Sequence, residues 1–150
     1  MKKLLLSTGG SGGHIYPALA VAAAAEKLGI ESELIGQRGG MEERLAEEAG
    51  LPFHGVSSGK LDRQRPDPRS LIRSGAGLSQ AVAVVRRLKP AAVVGFGGFA
   101  SFPGCAAAVV ARRPLVLHEQ NAYPGLVTRL LARFAHTLVV SQPVVEGRVR

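Results

Sequence analysis

A chain of 150 residues, 46% hydrophobic and 20% charged, supports one compact domain with a real core, and its 19 glycines follow no repeat, which excludes fibrous and low-complexity classes. No apolar run approaches the roughly 18 residues of a membrane span, and a single cysteine, Cys105, excludes an internal disulfide and a cysteine-built metal cluster and suits a reducing compartment. The net charge of +8 divides into −2 over residues 1–50, +6 over 60–90 and +4 over 91–150, so an anionic partner is expected: nucleic acid, phospholipid or a phosphorylated substrate.

The opening Met-Lys-Lys-Leu-Leu-Leu looks briefly like a secretion signal. The apolar run stops after three leucines and no small-residue cleavage site follows, so Lys3–Ser7 reads as a buried strand. Tyr16–Leu28 reads as an alanine-rich helix with Pro17 in its first turn. A strand follows at Glu33–Gly36, then a short helix at Glu42–Ala49 closed by Gly50, and a third strand at Phe53–Val56. Ser57–Arg69, with Gly59, Pro66 and Pro68, reads as irregular. A long helix is predicted over Ser70–Leu88 and a strand over Ala91–Phe96. The remainder reads as a helix at Ser101–Ala111, a strand at Leu115–His118, a helix at Pro124–Phe134 and a strand at Thr137–Val140. Strands without polar alternation, each followed by a helix, predict a parallel sheet covered on both faces, an α/β doubly wound Rossmann-like domain without internal boundary. Cys105, in an alanine-valine helix, is expected in the core.

In such a sheet the strand-to-helix loops carry the ligand sites. Three stand out. Gly9-Gly10-Ser11-Gly12-Gly13-His14 puts four glycines in five residues where strand one enters helix one, so backbone can approach a ligand and free N–H groups can meet an anion. It is not a Walker loop, and it is a poor dinucleotide fingerprint: Ile15 stands where the third glycine belongs, and the second strand ends in Gly36-Gln37 without an acid. His14, at a helix N-terminus that disfavours its protonated form, is a candidate general base. Gly95-Phe96-Gly97-Gly98-Phe99-Ala100-Ser101 repeats the design after strand four, with Ser101 at the next helix start. His118-Glu119-Gln120-Asn121 sets four polar side chains directly after Leu115-Val116-Leu117, suited to a hydroxyl-rich ligand. No second histidine follows His118 at zinc-binding spacing, and no metal or cofactor is expected. Each loop also admits a structural reading, as a packing turn or a local hydrogen-bond network.

Together the three loops resemble the acceptor-side half of the MurG family of bacterial peptidoglycan glycosyltransferases, in the same order and over essentially the whole chain. The resemblance implies a metal-independent, inverting GT-B enzyme that moves N-acetylglucosamine from UDP-GlcNAc to lipid I, the undecaprenyl-pyrophosphoryl-muramyl-pentapeptide. It implies acceptor-pyrophosphate contacts at Gly9, Gly10, Gly97, Gly98 and Phe99, and donor contacts at Ser11, Gly12, Gly13 and Asn121. His14 is the proposed base, with His118, Glu119 and Gln120 in support. Family members are roughly twice this length, and a carboxyl-terminal domain holds most of the donor pocket. Residues 1–150 are therefore expected to be the acceptor and membrane half, inactive or nearly so without a donor domain in cis or in trans.

Lipid I lies in the cytoplasmic leaflet, so the resemblance implies a peripheral protein on the cytoplasmic face of the plasma membrane. Leu71, Ile72 and Leu78, with Arg69 and Arg73 beside them, form a candidate stripe for an anionic membrane surface; the same apolar residues also read as the buried side of their helix. Nucleic acid is the least fitting partner, since there is no tryptophan, only two tyrosines, and no aromatic residue within the basic run. Two other readings stand beside the enzyme half. One is a non-catalytic subunit that recruits a separate donor domain to the membrane, and the other, disfavoured by the glycine pattern and the missing acid, is a nucleotide-dependent oxidoreductase half-domain.

Overall fold

The structure is a computed structural model that describes residues 2–57 and 68–143, with side chains described for 2–57 and 75–143. Six strands, β1 (Lys3–Ser7), β2 (Glu31–Gln37), β3 (Phe53–Val56), β4 (Ala92–Gly95), β5 (Leu115–Glu119) and β6 (Thr137–Val140), pair in the order β3-β2-β1-β4-β5-β6. Every pairing is parallel, with Leu5 opposite Glu33 on one side and Val93 on the other. The strand order reverses between β1 and β4, which makes the top of that pair the topological switch point of a doubly wound sheet.

Both faces of the sheet are covered, which is why the central strands carry no polar alternation. Helices α1 (Gly12–Lys27) and α2 (Met41–Glu48) close one face over Leu6, Ala18, Ala22, Leu34, Ala46 and Phe96. On the other face α3 (Pro68–Leu88), α4 (Phe102–Val110) and α5 (Leu126–Leu131) close over Leu5, Ile35, Val85, Val93, Ala107 and Leu117. Cys105 is fully buried there, and burial pushes its thiol up to about 12, so it is a packing residue and not a nucleophile.

The predicted boundaries shift where local chemistry outweighs pattern. Helix α1 begins at Gly12, not Tyr16, because Ser11 is extended (φ −159°) and its carbonyl accepts the N–H groups of His14 and Ile15. Pro17 therefore sits inside the helix and not in its first turn. The predicted helix over Pro124–Phe134 is shorter: Gly125 caps α5, and a 3-10 turn over Ala132–Phe134 ends it. The irregular stretch predicted at Ser57–Arg69 falls mostly outside the described residues, and α3 begins at Pro68, two residues earlier than expected. Arg69, Leu71, Ile72 and Arg73 belong to α3, but their side chains lie outside the described residues; Leu78 is half-buried against the core.

Strand β2 also starts earlier than predicted, at Glu31, because its charged residues have partners. Glu33 is buried and ion-paired to Lys3, and His54 Nε2 donates to Glu33 Oε2 at 2.5 Å. Arg87 donates to the other ring nitrogen of His54 at 3.4 Å, which leaves the imidazole proton on Nε2. Burial pushes the Glu33 carboxyl up, but the hydrogen bonds from Lys3 and His54 and the charge of Lys3 outweigh it and hold the group below the ordinary glutamate value. A carboxyl lowered by folding stabilises the native state above its unfolded pKa, and that contribution disappears as pH falls through its folded value. We expect Glu33→Gln to cost about 2 kcal/mol at pH 7. Unfolding midpoints measured from pH 7 down to pH 3 should show the gap from wild type constant at first, then closing below the normal glutamate range.

Candidate functional site

Three loops leave the carboxyl ends of β1, β4 and β5, which are adjacent strands, so the predicted site residues gather along one edge of the sheet. The first passes through Thr8, which is fully buried and whose hydroxyl donates to the His14 carbonyl at 2.7 Å. That bond closes the glycine turn over its own exit. Ser11 and Gly13 are exposed and Gly12 is half-buried, and the amides of Gly12 and Gly13 precede the first intrahelical bonds. The turn thus offers N–H groups and the positive end of α1 toward the crevice.

The imidazole of His14 does not project freely. It lies on the backbone of Gly97 and Gly98: a Cβ on Gly97 would come within 3.3 Å of Cε1 and Nδ1, and one on Gly98 within 3.1 Å of Cδ2. Both glycines adopt positive φ, +83° and +75°, so here steric and conformational demands coincide. Nδ1 lies 2.9 Å from the Phe96 carbonyl and 2.6 Å from the Gln120 amide nitrogen. Nε2 has no partner among the described residues and is not buried, so it is the nitrogen available to a ligand.

Ser101 does not cap α4 through an amide as its position suggested. Its hydroxyl turns back to the Gly98 carbonyl at 2.8 Å, and its own carbonyl accepts from Ser7 Oγ at 2.8 Å. The residue is fully buried and pins the second glycine loop to the end of β1. Phe99 is exposed beside Gly10, close enough that a Cβ there would touch its ring in ordinary van der Waals contact, at 3.5 Å from Cε1.

In the third loop the four polar residues divide their work. Glu119 is buried and accepts from the Asn121 amide at 3.0 Å, the Asn121 side chain at 3.2 Å, the Gly125 amide at 3.0 Å and the Thr128 hydroxyl at 2.8 Å. Its carboxylate thereby satisfies the first turn of α5 and aims Asn121, which is exposed at the crevice. Gln120 reaches across to the first loop and donates to the Gly13 carbonyl at 2.9 Å. That carbonyl is free because its helical partner would be the N–H of Pro17, which does not exist. His118 turns away, its ring tilted 49° against Phe96 and its Nε2 bonded to Ser141 at 3.1 Å.

One residue at the site escaped the sequence reading. Glu42, in the first turn of α2, is 1% exposed; its carboxylate accepts the Gln37 amide at 2.8 Å and occupies the space that side chains at Gly9, Gly36 and Gly40 would need. Its signal was an acid at a core position, one helical turn before the buried Leu45 and Ala46. Among the described residues no group of three or more His, Cys, Asp and Glu side chains could hold a metal ion. A cavity of about 630 Å³ lies at the opposite edge of the sheet, between α1, β2 and the end of α2, lined by Leu19, Glu26 and Ser32 and by none of the loop residues.

A doubly wound domain with two glycine turns at its switch point presents backbone amides and helix N-termini of a kind that suits phosphate groups. The model of the glycosyltransferase family 28 N-terminal domain matches residues 4–140, and the chain belongs to that family. It is 51% identical, over 98% of its length, to the Deinococcus radiodurans UDP-N-acetylglucosamine--N-acetylmuramyl-(pentapeptide) pyrophosphoryl-undecaprenol N-acetylglucosamine transferase, and spans 38% of that protein. The protein of the same name from Deinococcus deserti is 53% identical over 87% of this chain and is 35% covered. The crystal structure of Acinetobacter baumannii MurG superposes with a TM-score of 0.86 at 28% identity, covering 98% of this chain and 44% of that one. The chain thus spans well under half the length of these relatives.

The third loop supplies a direct check on its assigned geometry. Glu119→Ala should strand the Gly125 amide and the buried Thr128 hydroxyl and lower stability by about 3 kcal/mol, as read by urea unfolding. Asn121→Ala, at an exposed position, should cost less than about 1 kcal/mol.

Proposed function

We propose that this chain is the acceptor and membrane half of a GT-B glycosyltransferase that transfers N-acetylglucosamine from UDP-GlcNAc to lipid I, giving lipid II. The observation that carries the reading is the seating of the His14 ring on Gly97 and Gly98, which joins two anion-accommodating turns and one reactive nitrogen in a single crevice. In this reading the amides around Gly9, Gly10, Gly97 and Gly98, with Phe99 at the rim, hold the acceptor pyrophosphate. Ser11, Gly12, Gly13 and Asn121 meet the donor, most of whose pocket belongs to a carboxyl-terminal domain. The sugar hydroxyl of the acceptor attacks the anomeric carbon, the bond from that carbon to the UDP oxygen breaks, and configuration inverts. His14 takes the hydroxyl proton, while turn amides and helix N-termini stabilise the phosphate charge.

Membrane docking is the second part of the proposal. No helix among the described residues is long and apolar enough to cross a membrane. The basic excess over residues 60–90 suits reversible attachment to anionic lipid at about 1 kcal/mol per Lys or Arg, with Arg69, Leu71, Ile72, Arg73 and Leu78 as the proposed contact. Such a protein would sit peripherally on the cytoplasmic face of the membrane.

Joining residues 1–150 to the carboxyl-terminal part of the Deinococcus radiodurans relative tests the transfer reading. We expect transfer to a soluble lipid I analogue by the joined protein, none by the chain alone, and a loss of about 100-fold or more in His14→Ala. Transfer by the chain alone, or a His14→Ala protein as fast as its parent, would overturn the division of labour. For the membrane reading, vesicles containing anionic phospholipid should pellet the chain at low salt and release it at high salt. Failure to pellet at low salt would remove that part.

A further inference from the structure

The environment of His14 Nδ1 is chemically over-determined. It stands 2.9 Å from an acceptor, the Phe96 carbonyl, and 2.6 Å from the Gln120 side-chain nitrogen, which can only donate. Inverting the amide would not relieve this, because Gln120 Oε1 would then face the Gly13 and Phe96 carbonyls, now 2.9 and 3.2 Å from the nitrogen. The Gly13 carbonyl in particular needs that donor, since Pro17 cannot supply one. With one N–H given to the Gly13 carbonyl, the other stands nearer Nδ1, at 2.6 Å, than the Phe96 carbonyl, at 3.2 Å; an amide N–H directed at Nδ1 demands a lone pair there, so the neutral ring carries its proton on Nε2. In that form the nitrogen available to a ligand donates a hydrogen bond and cannot accept a proton.

We propose that Gln120 is a positioning residue that sets the tautomer of His14. With its amide on Nδ1 the resting ring is the Nε2–H form, a donor suited to a phosphate or hydroxyl oxygen. When the amide turns away, Nδ1–H bonds to the Phe96 carbonyl and Nε2 becomes the free base. The amide oxygen does not oppose that rotation, because Gln120 Oε1 is buried without a hydrogen-bond partner among the described residues and has none to lose. The proposal rests on His14 as the reacting residue, and it assigns the change from hydrogen-bond donor to base to a single side-chain rotation.

The test is the ring-nitrogen spectrum of the chain labelled with 15N-histidine, recorded at a pH above the ring titration. The His14 signals are assigned by their loss in His14→Gln. We expect a protonated-type Nε2 and a lone-pair-type Nδ1 in the wild type. The order should reverse in Gln120→Met, which keeps the bulk and removes the donor, and in Gln120→Glu, which has no N–H. His54, His118 and His136 should keep their wild-type signals, as a general loosening of the fold would not allow. A wild-type ring already protonated on Nδ1, or an Nε2–H ring in both variants, overturns the proposal. The readout involves no sugar transfer, so it stands or falls separately from the transferase reading.

Discussion

The contact between the His14 imidazole and the bare backbone of Gly97 and Gly98 joins the first turn of α1 to the exit of β4. Most of the crevice depends on it. A side chain at either glycine would press on the ring, at 3.3 Å from Gly97 and 3.1 Å from Gly98, and one at Gly98 would also strike the Gly9 carbonyl at 2.4 Å. The contact is anchored from below by the Phe96 amide, which donates to the Ser7 carbonyl at 3.0 Å, and by the Ser7 hydroxyl on the Ser101 carbonyl. The two glycine turns therefore form one rigid unit across the β1–β4 switch point, and Gln120 extends that unit to the third loop.

Two buried carboxylates hold the outer limits of this unit by the same device. Glu42 sits in the first turn of α2 and fills the space beside Gly9, and Glu119 lies against the first turn of α5 and orders the loop that carries Asn121. An anion at a helix N-terminus is favourable when backbone N–H groups and hydroxyls satisfy its oxygens, as Gln37, Gly125 and Thr128 do here. In a chain of net charge +8, these acids are structural members, and among the described residues the three crevice loops carry no carboxylate left free to repel an anion.

The sheet was legible because burial on both faces forces apolar runs that alternate with helical stretches, and Lys3–Ser7, Phe53–Val56 and Thr137–Val140 fall where that pattern puts them. The starts of helices were less legible. Gly12 and Gly13 carry no periodic signal, so a helix that includes them begins in what reads as loop, and Pro17 reads as a first-turn residue when it is an interior one. At the site, the residues that line the crevice were visible as motifs, whereas the residues that hold those motifs were not. Glu42 was hidden among the other acids of its helix. The pairing of Gln120 with His14 spans 106 positions and depends on a carbonyl freed by a proline, a relation that no local pattern carries.

On the proposed reading, the distribution of charge separates two kinds of anion recognition within one small domain. The loops at residues 9–14 and 95–101 contain no lysine or arginine, so an anion there meets amide dipoles and helix ends, whose attraction is short-ranged and resists salt because it acts at contact. The largest net positive charge, +6, lies over residues 60–90, outside those loops, where attraction to an anionic surface is long-ranged and screened within about 8 Å at physiological ionic strength. Surface attachment should therefore respond steeply to salt, while phosphate recognition in the crevice responds to the shape of the glycine turns. Within the two turns His14 is the one side chain with an ionisable group, so on the proposed reading charge stabilisation by backbone amides and proton transfer by the imidazole fall to separate groups.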